Sequence, residues 1–234
     1  MLTRALLLAA GRGERLRPLT DDAPKPLLEV GGRALIERHL ERLAAACVTD
    51  IVVNLAWLGS KIVDRLGDGA RYGVSIAYSE EGDALETAGG IVHARALLGD
   101  APFAVVNADV WTDYPFARLA LPEGRLAHLV LVPNPDHNPN GDFVLDGDVV
   151  QNPSESRREG AAPTRTFSGI AVYSPALFAG LAPGKRSLAP VLRAASERGE
   201  ISGELYEGDW CDVGTVERLE SLRQSVGAAP SRRD

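Results

Sequence analysis

Residues 5–17 read Ala-Leu-Leu-Leu-Ala-Ala-Gly-Arg-Gly-Glu-Arg-Leu-Arg, an apolar run that passes directly into a turn rich in glycine and arginine. A short, continuous apolar run closed by glycine fits a strand buried on both faces, as in a parallel sheet. Small residues in the turn let backbone N–H groups approach an anion, and Gly11 and Gly13 permit the positive φ that aims them inward. Arg12, Arg15 and Arg17 add positive charge. Lys25 follows between Pro24 and Pro26, which stiffen the backbone around one ammonium group. The stretch is not a Walker A loop, because no Gly-Lys-Ser/Thr closes it. It is not a dinucleotide fingerprint either, because Leu16 stands where a third Gly or Ala is needed. Taken alone, it also fits a basic surface turn.

Outward from this stretch the pattern alternates. Arg33–Ala46 places Ile36, Leu40 and Leu43 on one helical face, and Asp50–Asn54 reads as a second strand. A helix over Leu58–Leu66, a strand over Val74–Tyr78, a helix over Thr87–Leu98 and a buried strand over Phe103–Asn107 follow. Strands alternating with helices at this spacing predict a parallel sheet covered on both faces. The second half differs: strand-like Leu126–Pro133, a hairpin over Phe143–Gln151 around Asp146-Gly147, and strands over Thr166–Tyr173 and Ile201–Glu207 flanking a helix near Leu188–Arg198. A helix over Thr215–Ser225 closes the pattern, with residues 227–234 expected as a tail.

The chain has 234 residues, of which 45% are hydrophobic and 24% charged, which suits one soluble α/β domain. No apolar run reaches the ~20 residues of a membrane span, and no small-residue cleavage site follows Ala5–Ala10. Cys47 and Cys211 are far apart, which fits a reduced, cytoplasmic protein. The net charge of −7 argues against nucleic-acid binding. It also means that any bound phosphates must be held by local cations and a metal. His39, His93, His128 and His137 are too scattered for a zinc site.

Two aspartates stand out. Asp109 follows the apolar run Phe103–Asn107, at the carboxyl end of an expected central strand, where open α/β sheets bind ligands. Asp212 sits in Trp210-Cys-Asp-Val-Gly-Thr215, just before the last helix. Brought together, two carboxylates suit one hard divalent cation that also takes phosphate oxygens. Taken singly, each also fits a helix cap or a turn.

Leu8-Ala-Ala-Gly-x-Gly-x-Arg-Leu-x-Pro-Leu-Thr20, followed by Pro24-Lys-Pro-Leu27, resembles the signature of the sugar-1-phosphate nucleotidyltransferases. The resemblance runs from about Thr3 to Leu222. It implies a single Rossmann-like α/β domain over residues 1–226, with a mixed, mainly parallel central sheet and a sugar-binding lobe. It implies Mg²⁺ held by Asp109 and Asp212, with Arg15, Lys25 and Asp109 as the catalytic group. Leu8, Ala9, Ala10, Gly11 and Gly13 would bind the nucleotide. Glu81, with Glu80 as its rival by one position, would read the base, with Gly89 and Gly90 beside the nucleoside. Asn107, Gly141, Asp142 and Gly169 match the family's sugar-phosphate pocket. Many relatives place a Glu-Lys pair after the hairpin; here Asn152-Pro-Ser-Glu-Ser-Arg-Arg158 stands instead, leaving Arg157, Arg158, Arg165 and Lys185 as candidates for the phosphate contact.

The runs Asn54-Leu-Ala-Trp-Leu-Gly59, Asn107-Ala-Asp-Val-Trp-Thr112 and Asn140-Gly-Asp-Phe143 resemble the branch that joins UTP to N-acetylmuramic acid 1-phosphate in cell-wall sugar recycling. Its alternatives are a mannose- or glucose-1-phosphate enzyme using GTP, dTTP or UTP, and a non-catalytic sugar-nucleotide-binding subunit. A glycosyltransferase should show two acids separated by one residue, and Trp111 and Asp113 do not supply that pair after Asp109.

Overall fold

The computed structural model describes residues 2–153 and 162–228. The first half holds β1 (Arg4–Leu8), α1 (Leu19–Asp22), β2 (Glu29–Val30), β3 (Arg33–Ala34), α2 (Leu35–Ala45), β4 (Asp50–Leu55) and α3 (Gly59–Leu66). There follow β5 (Ser75–Glu80), α4 (Glu86–His93), α5 (Arg95–Leu98), β6 (Phe103–Asn107) and β7 (Val110–Thr112). The second half holds β8 (Ala127–Val132), β9 (Phe143–Asp146), β10 (Val149–Gln151), β11 (Thr164–Tyr173), α6 (Ala189–Glu197), β12 (Ile201–Leu205), β13 (Trp210–Asp212) and α7 (Val216–Ala228).

One mixed sheet runs through the molecule in the order β5-β4-β1-β6-β11-β8-β12-β10-β9. Strands β5, β4, β1 and β6 are parallel, and β12 is parallel to β8. Strand β11 runs against both of its neighbours, β6 and β8, and so joins the two halves. Side chains alternate between two cores: Ala5 and Leu7 face one with Ile51, Val53, Ala104 and Val106, whereas Leu6, Val52, Phe103 and Val105 face the other. Both faces are covered by helices, which is why these strands read as unbroken apolar runs.

Several boundaries differ from the sequence reading; Arg33 and Ala34, expected to open the first helix, form β3 instead. The helix over Thr87–Leu98 is interrupted at Ala94 and becomes α4 and α5. The hairpin loop is Gly147-Asp148, because Asp146 pairs with Val149, and Gly147 takes a φ of 61°. Helix α7 continues to Ala228, so Gly227 belongs to it rather than to a tail; residues 229–234 lie outside the described residues. Among the described residues no helix is long and apolar enough to cross a membrane.

A third, smaller core carries the sequence-distant contacts that matter for the site. Leu16, Leu28, Val30 and Leu35 from the first 35 residues pack with Val213, Leu219 and Leu222 near the end. Fully burying one such side chain contributes about 1.5–3 kcal/mol, so this cluster clamps the start of α7 against the turn after β1.

Candidate active site

The parallel strands end in register. Leu8 of β1 is opposite Asn54 of β4 and Asn107 of β6, so two amides flank the entry to the glycine-rich turn along one carboxyl edge. Above that edge lies a cleft lined by Leu8, Ala10, Gly11, Asn54, Glu81 and Asp109, among others. Ala9 is not on its wall. It is buried in the core, and its N–H donates to Asn54 Oδ1 at 2.6 Å.

The two glycines of the turn act differently. Gly13 takes the left-handed φ of 70°, and a Cβ there would press on Thr20 and Lys25. Thr20 Oγ1 donates to its carbonyl at 2.9 Å, and Leu16 N–H does the same at 2.9 Å, so Gly13 folds the turn back on the lysine segment. Gly11 has no positive φ, and a Cβ there would meet no atom within 4 Å. What Gly11 provides is open backbone facing the cleft.

The three arginines of the turn also separate. Arg12 donates to the Thr20 carbonyl and to Asp21 at 2.7 Å each and lies 3.8 Å over the Trp57 ring. Arg17 donates to the same Asp21 carboxylate at 2.8 Å. These interactions hold the Asp21 carboxyl below its ordinary range, with Arg12 the main cause. Arg15 is exposed and has no hydrogen-bond or ion-pair partner among the described residues; its Nη2 stands 3.1 Å from where a Cβ on Gly214 would lie.

The aspartates converge. Antiparallel β7 and β13 pair Asp212 with Val110, and Val213 N–H donates to the Asp109 carbonyl at 3.0 Å. Lys25 Nζ donates to Asp109 Oδ2, and the two side chains are only 12% and 30% exposed. Arg218 Nη1 donates to Asp212 Oδ1, and His137 Nε2 lies 2.9 Å from the same oxygen. Asp109 Oδ1 and Asp212 Oδ2 have no partner among the described residues. No group of three or more acidic, cysteine or histidine ligands occurs among those residues. Asp109 and Asp212 stand on segments joined by the Val213 N–H bond, and each has a carboxylate oxygen without a partner among the described residues, which is the donor chemistry of a hard cation whose remaining ligands are phosphate oxygens and water.

Glu81, not Glu80, lines the cleft. Its Oε1 accepts from Asn54 Nδ2 at 2.7 Å and its Oε2 from Leu85 N–H at 2.9 Å. Gly90 is required because a Cβ would strike that Glu81–Asn54 pair. Gly89 lets α4 approach the 184–186 segment, and its N–H donates to the Arg186 carbonyl at 3.1 Å. Both glycines are therefore buried behind the wall and support it.

A second cavity adjoins through Thr87 and Asn107, which line both. Asp142 lies on its wall, fixed by Phe167 N–H at 2.8 Å and Asn138 Nδ2 at 3.2 Å. Gly169, at φ 81° beside the bulge of β11, leaves room for the Asn107 side chain. Gly141, at φ 63°, packs its backbone on Asn134 and Thr164. These glycines shape the cavity rather than line it. Lys185 lies 3.8 Å from Glu86, Arg165 donates to the Thr164 carbonyl at 3.5 Å, and Arg157 and Arg158 lie outside the described residues.

Sequence reading missed Asn54, Thr87, His137 and Arg218. Asn54 had a signal, a polar residue ending a buried strand as Asn107 does. His137 had none, because it reaches Asp212 from a loop 75 positions earlier in the chain. Trp111 packs against the third core with Arg38 4.3 Å over its ring, and Asp113 accepts from the Tyr206 hydroxyl, so neither serves the cleft.

The Nucleotidyl transferase family model matches residues 4–228. The chain is 51% identical to N-acetylmuramate alpha-1-phosphate uridylyltransferase of Neisseria meningitidis serogroup B, over 96% of this chain and 99% of that protein. It is 34% identical to the protein of the same name from Caulobacter vibrioides, over 90% and 91%. A Bacillus anthracis structure described as a glucose-1-phosphate thymidylyltransferase in complex with sucrose superposes with a TM-score of 0.79 at 21% identity, covering 98% of this chain and 97% of that one. A turn that presents open backbone, a lysine on one aspartate and a second aspartate on a neighbouring segment thus belong to a chain that is a member of the nucleotidyl transferase family.

Proposed function

We propose that the protein couples UTP to N-acetylmuramic acid 1-phosphate, giving the UDP-sugar and pyrophosphate, with Mg²⁺ at Asp109 and Asp212. The observation that carries this reading is a cleft lined by Gly11, Glu81 and Asp109, with Lys25 on the Asp109 carboxylate, that shares Thr87 and Asn107 with a second, sugar-sized cavity. The Neisseria and Caulobacter relatives supply the choice of sugar and base. A place in cell-wall sugar recycling in the cytoplasm goes with that substrate pair, and both cysteines are free thiols.

In this reaction an oxygen of the sugar phosphate attacks the α-phosphorus of UTP. A new P–O bond forms as the α–β bridging bond breaks, and pyrophosphate carries away the electron pair. Each unit pair of like charges at ~4 Å repels by about 1 kcal/mol in water and about 4 kcal/mol at an effective dielectric of 20. Neutralising charge and aligning the two phosphates are therefore the main tasks, and no protein nucleophile is required. The open backbone at Gly11 and the unpaired Arg15 hold the departing β- and γ-phosphates. Lys25, already desolvated against Asp109, turns to the α-phosphate and the incoming phosphate. Glu81, oriented by Asn54 and the Leu85 amide, faces the base. Asp109 and Asp212 would hold Mg²⁺, which would supply Lewis-acid charge neutralisation.

A matrix of UTP, GTP, dTTP and ATP against muramate, glucosamine, glucose and mannose 1-phosphates, scored by pyrophosphate release with and without EDTA, tests the proposal. The UTP–muramate pair should dominate and should vanish with chelator. Dominance of another pair, or turnover that EDTA leaves untouched, refutes the corresponding part.

A further inference from the structure

The sugar-side cavity joins the nucleotide cleft at Thr87 and Asn107, so the anomeric phosphate of a bound sugar belongs at that junction. The far wall is the first part of α6, where Ala189 and Arg193 lie one helical turn apart. Leu188 and Leu192 anchor that turn in the core, and Asn152 Nδ2 donates to the Arg193 carbonyl at 3.0 Å. The backbone is thus fixed while the side chain is exposed. Its guanidinium has no hydrogen-bond or ion-pair partner among the described residues.

Among the described residues no other side chain on that wall is cationic. Asp142, the one acid there, is already held by Phe167 N–H and Asn138. Lys185 has Glu86 as its partner, and Arg165 is not on the wall. Phe143, Phe167 and Leu188 make much of the remaining surface apolar. A free guanidinium beside an apolar surface matches a planar anion carried on a short apolar arm, because the guanidinium fork fits a carboxylate in two-point fashion. Muramic acid differs from glucosamine by one such arm, a lactyl ether ending in a carboxylate.

We propose that Arg193 is the specificity-determining residue that takes the lactyl carboxylate, so that α6 selects acidic sugar 1-phosphates over neutral ones. This rests on the muramate reading above, and the test separates the two. Wild type, Arg193→Ala and Arg193→Lys are assayed with UTP against N-acetylmuramic acid 1-phosphate and N-acetylglucosamine 1-phosphate. In wild type the acidic sugar should be preferred. Arg193→Ala should raise KM for the muramate about 10- to 100-fold with little change in kcat, and leave the glucosamine kinetics unchanged. Arg193→Lys should recover part of the preference, because it keeps the charge and loses the fork. Equal losses on both sugars, or no loss on either, overturn the role of Arg193 while leaving the muramate reading intact. A wild type without preference for the acidic sugar overturns both. Thermal melting of the variants should match wild type, since the side chain is exposed and unpartnered.

Discussion

Asp21 separates three arginines that look alike in sequence. It holds Arg12 and Arg17 in the turn, and only Arg15 is left for an anion. Arg12→Ala should therefore act on stability: it removes a stacking contact over Trp57 and charged hydrogen bonds, together worth roughly 1–3 kcal/mol. Arg15→Ala should leave the melting temperature unchanged and lower kcat/KM for UTP about 10- to 100-fold. Thermal melts run beside steady-state kinetics distinguish the pair, and the reverse pattern would mean that Arg12 is the phosphate contact. Lys25 differs again because it is nearly buried and sits on a carboxylate. Removing a preorganised donor of this kind typically costs ~2.7–4 kcal/mol of transition-state stabilisation, so Lys25→Ala should slow turnover by about 10²–10³-fold. Near-normal turnover in that variant would remove Lys25 from the mechanism. Asp109→Asn and Asp212→Asn should each raise the Mg²⁺ concentration needed for half-maximal rate, and an unchanged metal titration would exclude them as ligands.

At the scale of elements, helix α2 carries two buried ionisable groups with opposite chemistry and the same acid sensitivity. Burial drives His39 down to about 4; its Nε2–H donates to the Val110 carbonyl at 2.8 Å, and its buried Nδ1 has no partner to accept a proton's hydrogen bond. Burial opposes ionisation of Glu37 too, but Arg65, the Tyr72 hydroxyl and the Ala34 amide outweigh it and hold the carboxyl at about 2. Both groups bind fewer protons folded than unfolded, so both contribute stability that is lost as pH falls. For His39 the window runs from about 6.5 down to 4, and the shift amounts to roughly 3 kcal/mol. For Glu37 it runs from about 4.5 to 2. His39→Gln keeps a donor toward Val110 and has no titration, so urea melts should show its stability nearly flat between pH 6.5 and 4.5 where wild type declines. Parallel slopes in the two proteins would refute the burial of a neutral imidazole. Sequence periodicity located α2 through Ile36, Leu40 and Leu43, and it located every strand of the sheet's first half. It could not find the β7–β13 ribbon, because three residues per strand carry no readable period. Yet that ribbon is what sets Asp212 beside Asp109.

At the scale of the whole molecule, the Asp109, Asp212 and Lys25 segments are brought near one another by contacts that no local pattern contains. Leu16 meeting Val213, and Arg15 lying against Gly214, join segments separated by nearly the full chain. The acids could be singled out by their places after a buried run and before a helix, whereas among the arginines only the family resemblance singled out Arg15, because their partners are set by tertiary structure. The same long-range connections bear on folding. Strand β11 pairs with β6 of the first half and with β8 and β9 of the second, and the two main cores each draw residues from both halves. A sugar-side lobe attached through a continuous sheet has no surface along which to separate, so unfolding should be one cooperative transition despite a length at which many chains unfold in steps. Tryptophan fluorescence follows Trp57 and Trp111 in the first half, the latter against the third core, and Trp210, which donates to the Ser168 carbonyl of β11 at 2.9 Å, whereas far-UV circular dichroism follows all strands and helices. The two urea curves should coincide in midpoint and slope. A fluorescence transition completed before the circular dichroism changes would mean that the catalytic edge comes apart while the sheet persists, and that the halves are energetically separable after all.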